Sequence, residues 1–182
     1  MYLVRYGFTL VEMLISMSLV GILAVISAPI VSSYCTDCRM KTTMSEIASM
    51  IREARALALM SGDHKGVCFN TSKTEITLAL DRGADGKWNT ADDTIKRSCK
   101  LASSGGLKFG YSKCGPIPGL AAEVDGVSFQ TNNSLVCNPD LSSNAGTVYL
   151  TTTSTAKAMA ITVSSNNEGY KIRNCSNGIW LK

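Results

Sequence analysis

Apolar residues are spread unevenly along this chain. From Phe8 to Val31 they run almost unbroken, and those 24 residues hold one charged side chain, Glu12. As a helix the stretch is about 36 Å long, enough to cross a hydrocarbon core of about 30 Å. It exceeds the apolar core of a secretory signal, and the leader "MYLVRYG" is short and weakly charged. From Ser32 to about Ser61 the apolar positions thin to a stripe. Met40, Met44, Ile47, Ile51, Ala54 and Ala58 recur at spacings of 4, 3, 4, 3 and 4, one face of an α-helix. Arg39, Glu46, Ser49, Arg52 and Glu53 lie off that face, and Gly62 supplies a stop. The pattern predicts one long helix, apolar all round in its first half and amphipathic in its second.

Beyond Gly62 the period shortens to two. Strands are predicted at 66–70, 75–80, 94–99, 107–112, 127–129, 147–152, 158–165 and 169–174, rich in Val, Ile, Thr and Tyr. Segments 113–126 and 131–146, rich in Gly, Pro, Ser and Asn, read as loops. One long helix followed by strands predicts an α+β fold, with the helix stripe laid on an antiparallel β-sheet. The implied organisation is a leader at 1–7, a transmembrane helix at 8–31, its amphipathic continuation at 32–62 and a β-rich globular domain at 63–182.

Charge adds little. The net charge of +4 is too small to imply nucleic-acid binding by itself. Arg5 ahead of the span favours a cytoplasmic N-terminus. Seven cysteines in 182 residues agree with an oxidising space for the rest of the chain, outside the inner membrane. His64 is the single histidine, which removes most His-based catalytic and metal sites. No phosphate-binding glycine loop and no catalytic carboxylate motif appears, so no enzyme is expected.

Glu12 is the anomaly. An unpaired charge at the centre of a span costs about 2.5–3.5 kcal/mol on insertion scales. The span contains no Lys, Arg or His, so a partner is sought in another chain, a lipid, water or a new N-terminus. Cleavage after Gly7 would place an α-amino group on Phe8, four residues before Glu12.

"GFTLVEMLI" resembles the N-terminal motif of type IV pilins and type II secretion pseudopilins. The resemblance implies a prepilin peptidase that cuts between Gly7 and Phe8 and methylates Phe8. It implies that Glu12 sets subunit register in a filament, and that Pro29 is the kinking proline near the end of the span. "SEIASMIREARALALMSGDHKGVCF" is similar to the family that groups FimT-like pilins with the H pseudopilin of type II secretion. The implied function is structural: a minor pilin or pseudopilin, held in the bacterial inner membrane before joining a pilus or secretion pseudopilus. Its partners would be other pilins and the prepilin peptidase. A bitopic membrane sensor or enzyme with an unusual anchor is the competing class.

Three further features carry candidate chemistry. In "DRGADGKWNTADD" the oxygens of Asp81, Asp85, Lys87 (backbone), Asn89 and Asp92, assisted by Asp93, fall at calcium-loop spacing. Gly83 stands where a ligand is usual, and the alternative is an acidic turn held by Asp and Gly propensities. "GADG…ADD" also resembles the calcium loop of the major pseudopilin. Lys171 and Arg173 alternate on a predicted strand and would reach phosphates together. FimT-like pilins of DNA uptake carry a basic G-R-x-R-type motif near this place, which makes a DNA-binding competence pilin the alternative function, although Tyr170 stands where arginine is expected. Among the cysteines, Cys68 with Cys99 and Cys114 with Cys137 are candidate disulfides. Cys35 and Cys38 form a C-x-x-C inside the predicted helix, a poor setting for redox catalysis.

Overall fold

The computed structural model describes residues 9–101, 106–120, 123–152, 157–165 and 169–181. Helix α1 spans Leu10–Ser61 and contains Pro29, whose ring removes the N–H that would donate to the Val25 carbonyl. Contacts divide the chain into two units, 1–38 and 39–182, taken in turn.

In the first unit, every residue from Thr9 to Cys35 is exposed. The hydroxyls within the apolar run do not project as free polar groups. Ser16 donates to the Glu12 carbonyl (2.7 Å), Ser18 to Ile15 (2.8 Å) and Ser27 to Ala24 (3.1 Å). Such back-bonding hides hydroxyls from an apolar medium, where an unmet polar group is costly.

In the second unit the predicted stripe is the buried face. Met40, Met44, Ile47, Ile51, Ala54 and Ala58 are all within 2 % of full burial. Gly62 closes the helix as expected, with φ +73° and its N–H on the Ala58 carbonyl at 3.0 Å. The stripe packs on two antiparallel sheets rather than one. The first has strand order β3-β2-β1-β5, from β1 (Lys65–Asn70), β2 (Glu75–Ala79), β3 (Ile95–Lys100) and β5 (Ser134–Cys137). The second has order β4-β6-β7-β8-β9, from β4 (Leu107–Phe109), β6 (Gly146–Thr152), β7 (Lys157–Val163), β8 (Tyr170–Ser176) and β9 (Ile179–Leu181). Val67, Phe69, Ile76, Leu78 and Leu135 of the first sheet share one core with Leu107, Val148, Leu150 and Ile161 of the second. Phe69 sits at the junction, stacked on Phe129 (centroids 5.6 Å) and edge-on to Phe109 (6.3 Å).

The opposite faces of both sheets are also covered. On the first, Trp88 is buried against Cys68 and Ala79, and a side chain on Gly66 would collide with its ring. On the second, Tyr149 is fully buried beneath residues 111–120, and its hydroxyl accepts the Ile117 N–H at 3.2 Å. Trp180 donates to the Gly115 carbonyl at 3.2 Å. The Cys114–Cys175 disulfide (Cα–Cα 6.3 Å) fastens that covering segment to β8.

Other expectations are corrected, the strand at 127–129 among them, which is a single bridge from Val127 to Val148. Segment 131–146 is not all loop, because it contains β5 and the start of β6. A two-residue turn at Asn132 (φ 49°) and Asn133 (φ 55°) delivers the chain into β5. A second such turn at Asn177-Gly178 (φ 53° and 83°) produces β9, which was not predicted. The disulfide pairings also fail. Phe69, Ile76 and Cys99 lie in one row of the ladder, so Cys68 is on the opposite face from Cys99 and two strands away. Cys137 points into the shared core, whereas Cys114 lies on the far face of the other sheet.

Candidate functional site

Gly7 and Phe8 lie outside the described residues. The first described residues nevertheless supply a partner for Glu12 within its own chain. Thr9 donates to Glu12 Oε2 from both its backbone N–H and its hydroxyl, each at 2.9 Å, and the Thr9 hydroxyl accepts the Glu12 N–H at 3.2 Å. This is a capping box, in which the two residues satisfy each other's orphaned groups at a helix N-terminus. A carboxylate there also faces the positive end of the helix dipole. Thr9 is a functional residue that the sequence expectations do not include. Its signal is Thr-x-x-Glu immediately before an apolar run. Glu12 needs no cation inside the span, because a neutral donor lies three residues away.

The aspartate loop folds around its own backbone. Asp81 accepts the Gly83 N–H (3.0 Å) and the Thr94 N–H (3.3 Å). Asp85 accepts the Lys87 N–H (2.8 Å), and Asp92 accepts the Asp85 N–H (3.0 Å) and the Thr90 hydroxyl (2.7 Å). Asp93 accepts the Asn89 and Thr90 N–H groups at 2.7 and 3.3 Å. The Gly83 N–H holds the Asp81 carboxyl below its ordinary range, and the Thr90 hydroxyl does the same for Asp92. Gly83 is required for packing: a side chain there would collide with Asp92. Asn89 (φ 64°) donates to the carbonyls of Phe69 (3.3 Å) and Asn132 (3.1 Å), tying the loop to the sheet beside Trp88.

These carboxylates are hard-oxygen donors, as calcium prefers, but each already receives an N–H. Among the described residues no three His, Cys, Asp or Glu side chains gather as a metal site. Calcium takes six to eight converging oxygens, and these carboxylates would have to turn away from their N–H partners to supply them. The expected result is a melting temperature unchanged to within about 1 °C between excess calcium and excess chelator, because binding to the folded state alone would raise it. A calcium-dependent rise of several degrees would show that the loop rearranges around the ion.

Lys171 and Arg173 share one face of β8, as the alternation requires, opposite Thr162 and Ala160 of β7. Lys171 is exposed and Arg173 half-buried, near enough to the Tyr149 phenol to oppose the upward shift that burial imposes on it.

The free thiols divide by environment. Cys35 and Cys38 are exposed, Cys68 and Cys137 buried, and Cys99 half-buried. Burial and a hydrogen bond to Glu46 push the Cys99 thiol up to about 12, and burial pushes Cys137 up to about 11. Since the thiolate is the reactive form, a polar maleimide at about pH 8 should label Cys35 and Cys38 in the folded chain. All five free cysteines should label after unfolding without reductant, as mass spectrometry of the peptides would show.

Residues 4–28 match the family described as the prokaryotic N-terminal methylation motif. Among solved structures, the chain is similar to the minor pseudopilin EpsH from the type 2 secretion system of Vibrio cholerae. That likeness has 16% identity and a TM-score of 0.47, and covers 78% of this chain and 99% of that one. No curated protein matches the chain.

Proposed function

We propose that this chain is a type IV pilin-like subunit, a minor pilin or pseudopilin, whose work is assembly rather than catalysis. The observation that carries this reading is the methylation motif at 4–28 coinciding with an exposed apolar helix that has one carboxylate at its front. Such a surface is stable only when lipid or other apolar helices cover it. A membrane provides the first cover and a filament core the second.

In this reading a prepilin peptidase removes residues 1–7 and methylates Phe8. The new amine lies one residue before Thr9, so Glu12 can exchange the Thr9 donors for the cationic N-terminus of a neighbouring subunit. The globular domain then selects partners from outside the helical core.

The test is intact-mass analysis of the protein recovered from membranes with and without a prepilin peptidase. With the peptidase, residues 1–7 should be absent and Phe8 should carry one methyl group. A mature protein that retains residues 1–7 would favour a permanent bitopic anchor instead.

A further inference from the structure

The covered outer face of the four-stranded sheet carries a groove of about 650 Å³, within the range of ligand sites. Arg82, Lys87 and His64 line it together with Trp88, Asn132 and Asn138, and no acidic side chain does. Arg82 and Lys87 belong to a loop with four aspartates, yet neither cation has an ion pair among the described residues. The preceding geometry explains this. Asp81, Asp85, Asp92 and Asp93 are turned onto backbone N–H groups, which leaves the loop's cations unneutralised toward the groove. Acid returns beside it, in an adjoining hollow of about 380 Å³ lined by Asp81 and by Asp63, which pairs with the largely buried Lys65 at 4.0 Å, and at Asp140, which neighbours His64 and accepts the Ser142 hydroxyl.

The walls are fixed by bonds that also determine what they offer. Asn138 Nδ2 donates to the Ser142 hydroxyl (2.8 Å), so its Oδ1 faces His64 Nδ1 as the acceptor, also at 2.8 Å. That bond places the neutral tautomer's proton on Nδ1 and leaves Nε2 for a ligand. Asn132 Nδ2 donates to the Trp88 carbonyl (2.7 Å), so the Asn132 side chain offers its oxygen. The groove thus presents cations for carboxylates and an acceptor for N–H groups. A phosphodiester backbone brings no N–H donors, whereas an acidic peptide brings both complements.

We infer that this groove binds a short acidic segment of a partner protein, with its carboxylates on Arg82 and Lys87. The inference is independent of the filament reading, since it requires only the folded globular unit.

The test uses the full chain in detergent micelles and fluorescence anisotropy of a labelled hexaglutamate peptide. Arg82→Ala/Lys87→Ala should weaken binding by about tenfold or more, the scale of losing charged hydrogen bonds. Lys73→Ala/Lys108→Ala removes the same charge from exposed positions elsewhere and should change binding by less than about twofold. Circular dichroism and native thiol labelling establish that both variants are folded. The inference is overturned by absence of binding to the parent chain, or by equal loss in both variants. Tighter binding of a galacturonate oligomer or a single-stranded oligonucleotide would also overturn it, by assigning the groove to a sugar acid or a nucleic acid.

Discussion

Glu12→Ala should leave the chain in the membrane and keep it out of the filament. Insertion is driven by the apolar run from Phe8 to Val31, and removing its single charge makes that run more apolar. In the proposed assembly the change removes the span's single carboxylate, the group assigned to a neighbour's amine. A charge-assisted hydrogen bond is worth about 1.5–3 kcal/mol even before the apolar surroundings strengthen it. Incorporation should therefore fall by about tenfold or more, read as subunit in sheared filaments against subunit in the membrane fraction. The same change removes the capping box, but a lost cap costs only about 0.5–2 kcal/mol of helix stability. Thr9→Val separates the effects, because it disrupts the cap and keeps the carboxylate. Normal incorporation of Glu12→Ala would count against the assembly role.

The second large effect concerns the disulfide. Cys114 and Cys175 are 61 positions apart, so the bridge closes a long loop in the unfolded chain. The loop-entropy relation puts the stabilisation at about 4 kcal/mol. It also holds residues 111–120 over Tyr149 and Ala160, which would otherwise face water. Cys114→Ser should lower the melting temperature by about 8–16 °C, at about 2–4 °C per kcal/mol for a chain of this size. Cys175→Ser and the double variant should match it, since the second substitution has no bond left to break. A shift below about 2 °C would show that packing alone holds the segment.

The helix was legible because its signals agree. The stripe at 40–58, the unbroken apolar run and Gly62 each point to the same element, and each is met. Six predicted strands agree to within two residues at each end, whereas the one at 107–112 stops at Phe109 and 127–129 forms a single bridge from Val127 to Val148 rather than a strand. What escaped was set by turns. Ser134–Cys137 is a four-residue strand among Asn, Ser and Pro, and composition hid it. The Asn177-Gly178 turn was readable, since that dipeptide between short apolar runs is a strong hairpin signal. The cysteine pairing was unreadable for another reason. Each side chain's face follows strand register, which for Cys68 and Cys99 is set across β1, β2 and β3 and for Cys137 by the unpredicted β5. The aspartate spacing left two readings open, because an acid can bond a cation or its own backbone at the same spacing; the folded loop shows the backbone bonds.

The hydroxyls that fold back onto α1 have a consequence for movement. Ser16, Ser18 and Ser27 are satisfied by the helix itself, so the outer surface from Met13 to Val31 is bonded to nothing beyond it. Exchanging one apolar environment for another along that length breaks no hydrogen bond and should be nearly isoenergetic. In the proposed transfer from bilayer to filament, the groups that need a partner are then the Val25 carbonyl freed by Pro29 and the first helical turn, where Thr9 holds Glu12. Such a helix behaves as a greased shaft whose catch sits at its N-terminal end.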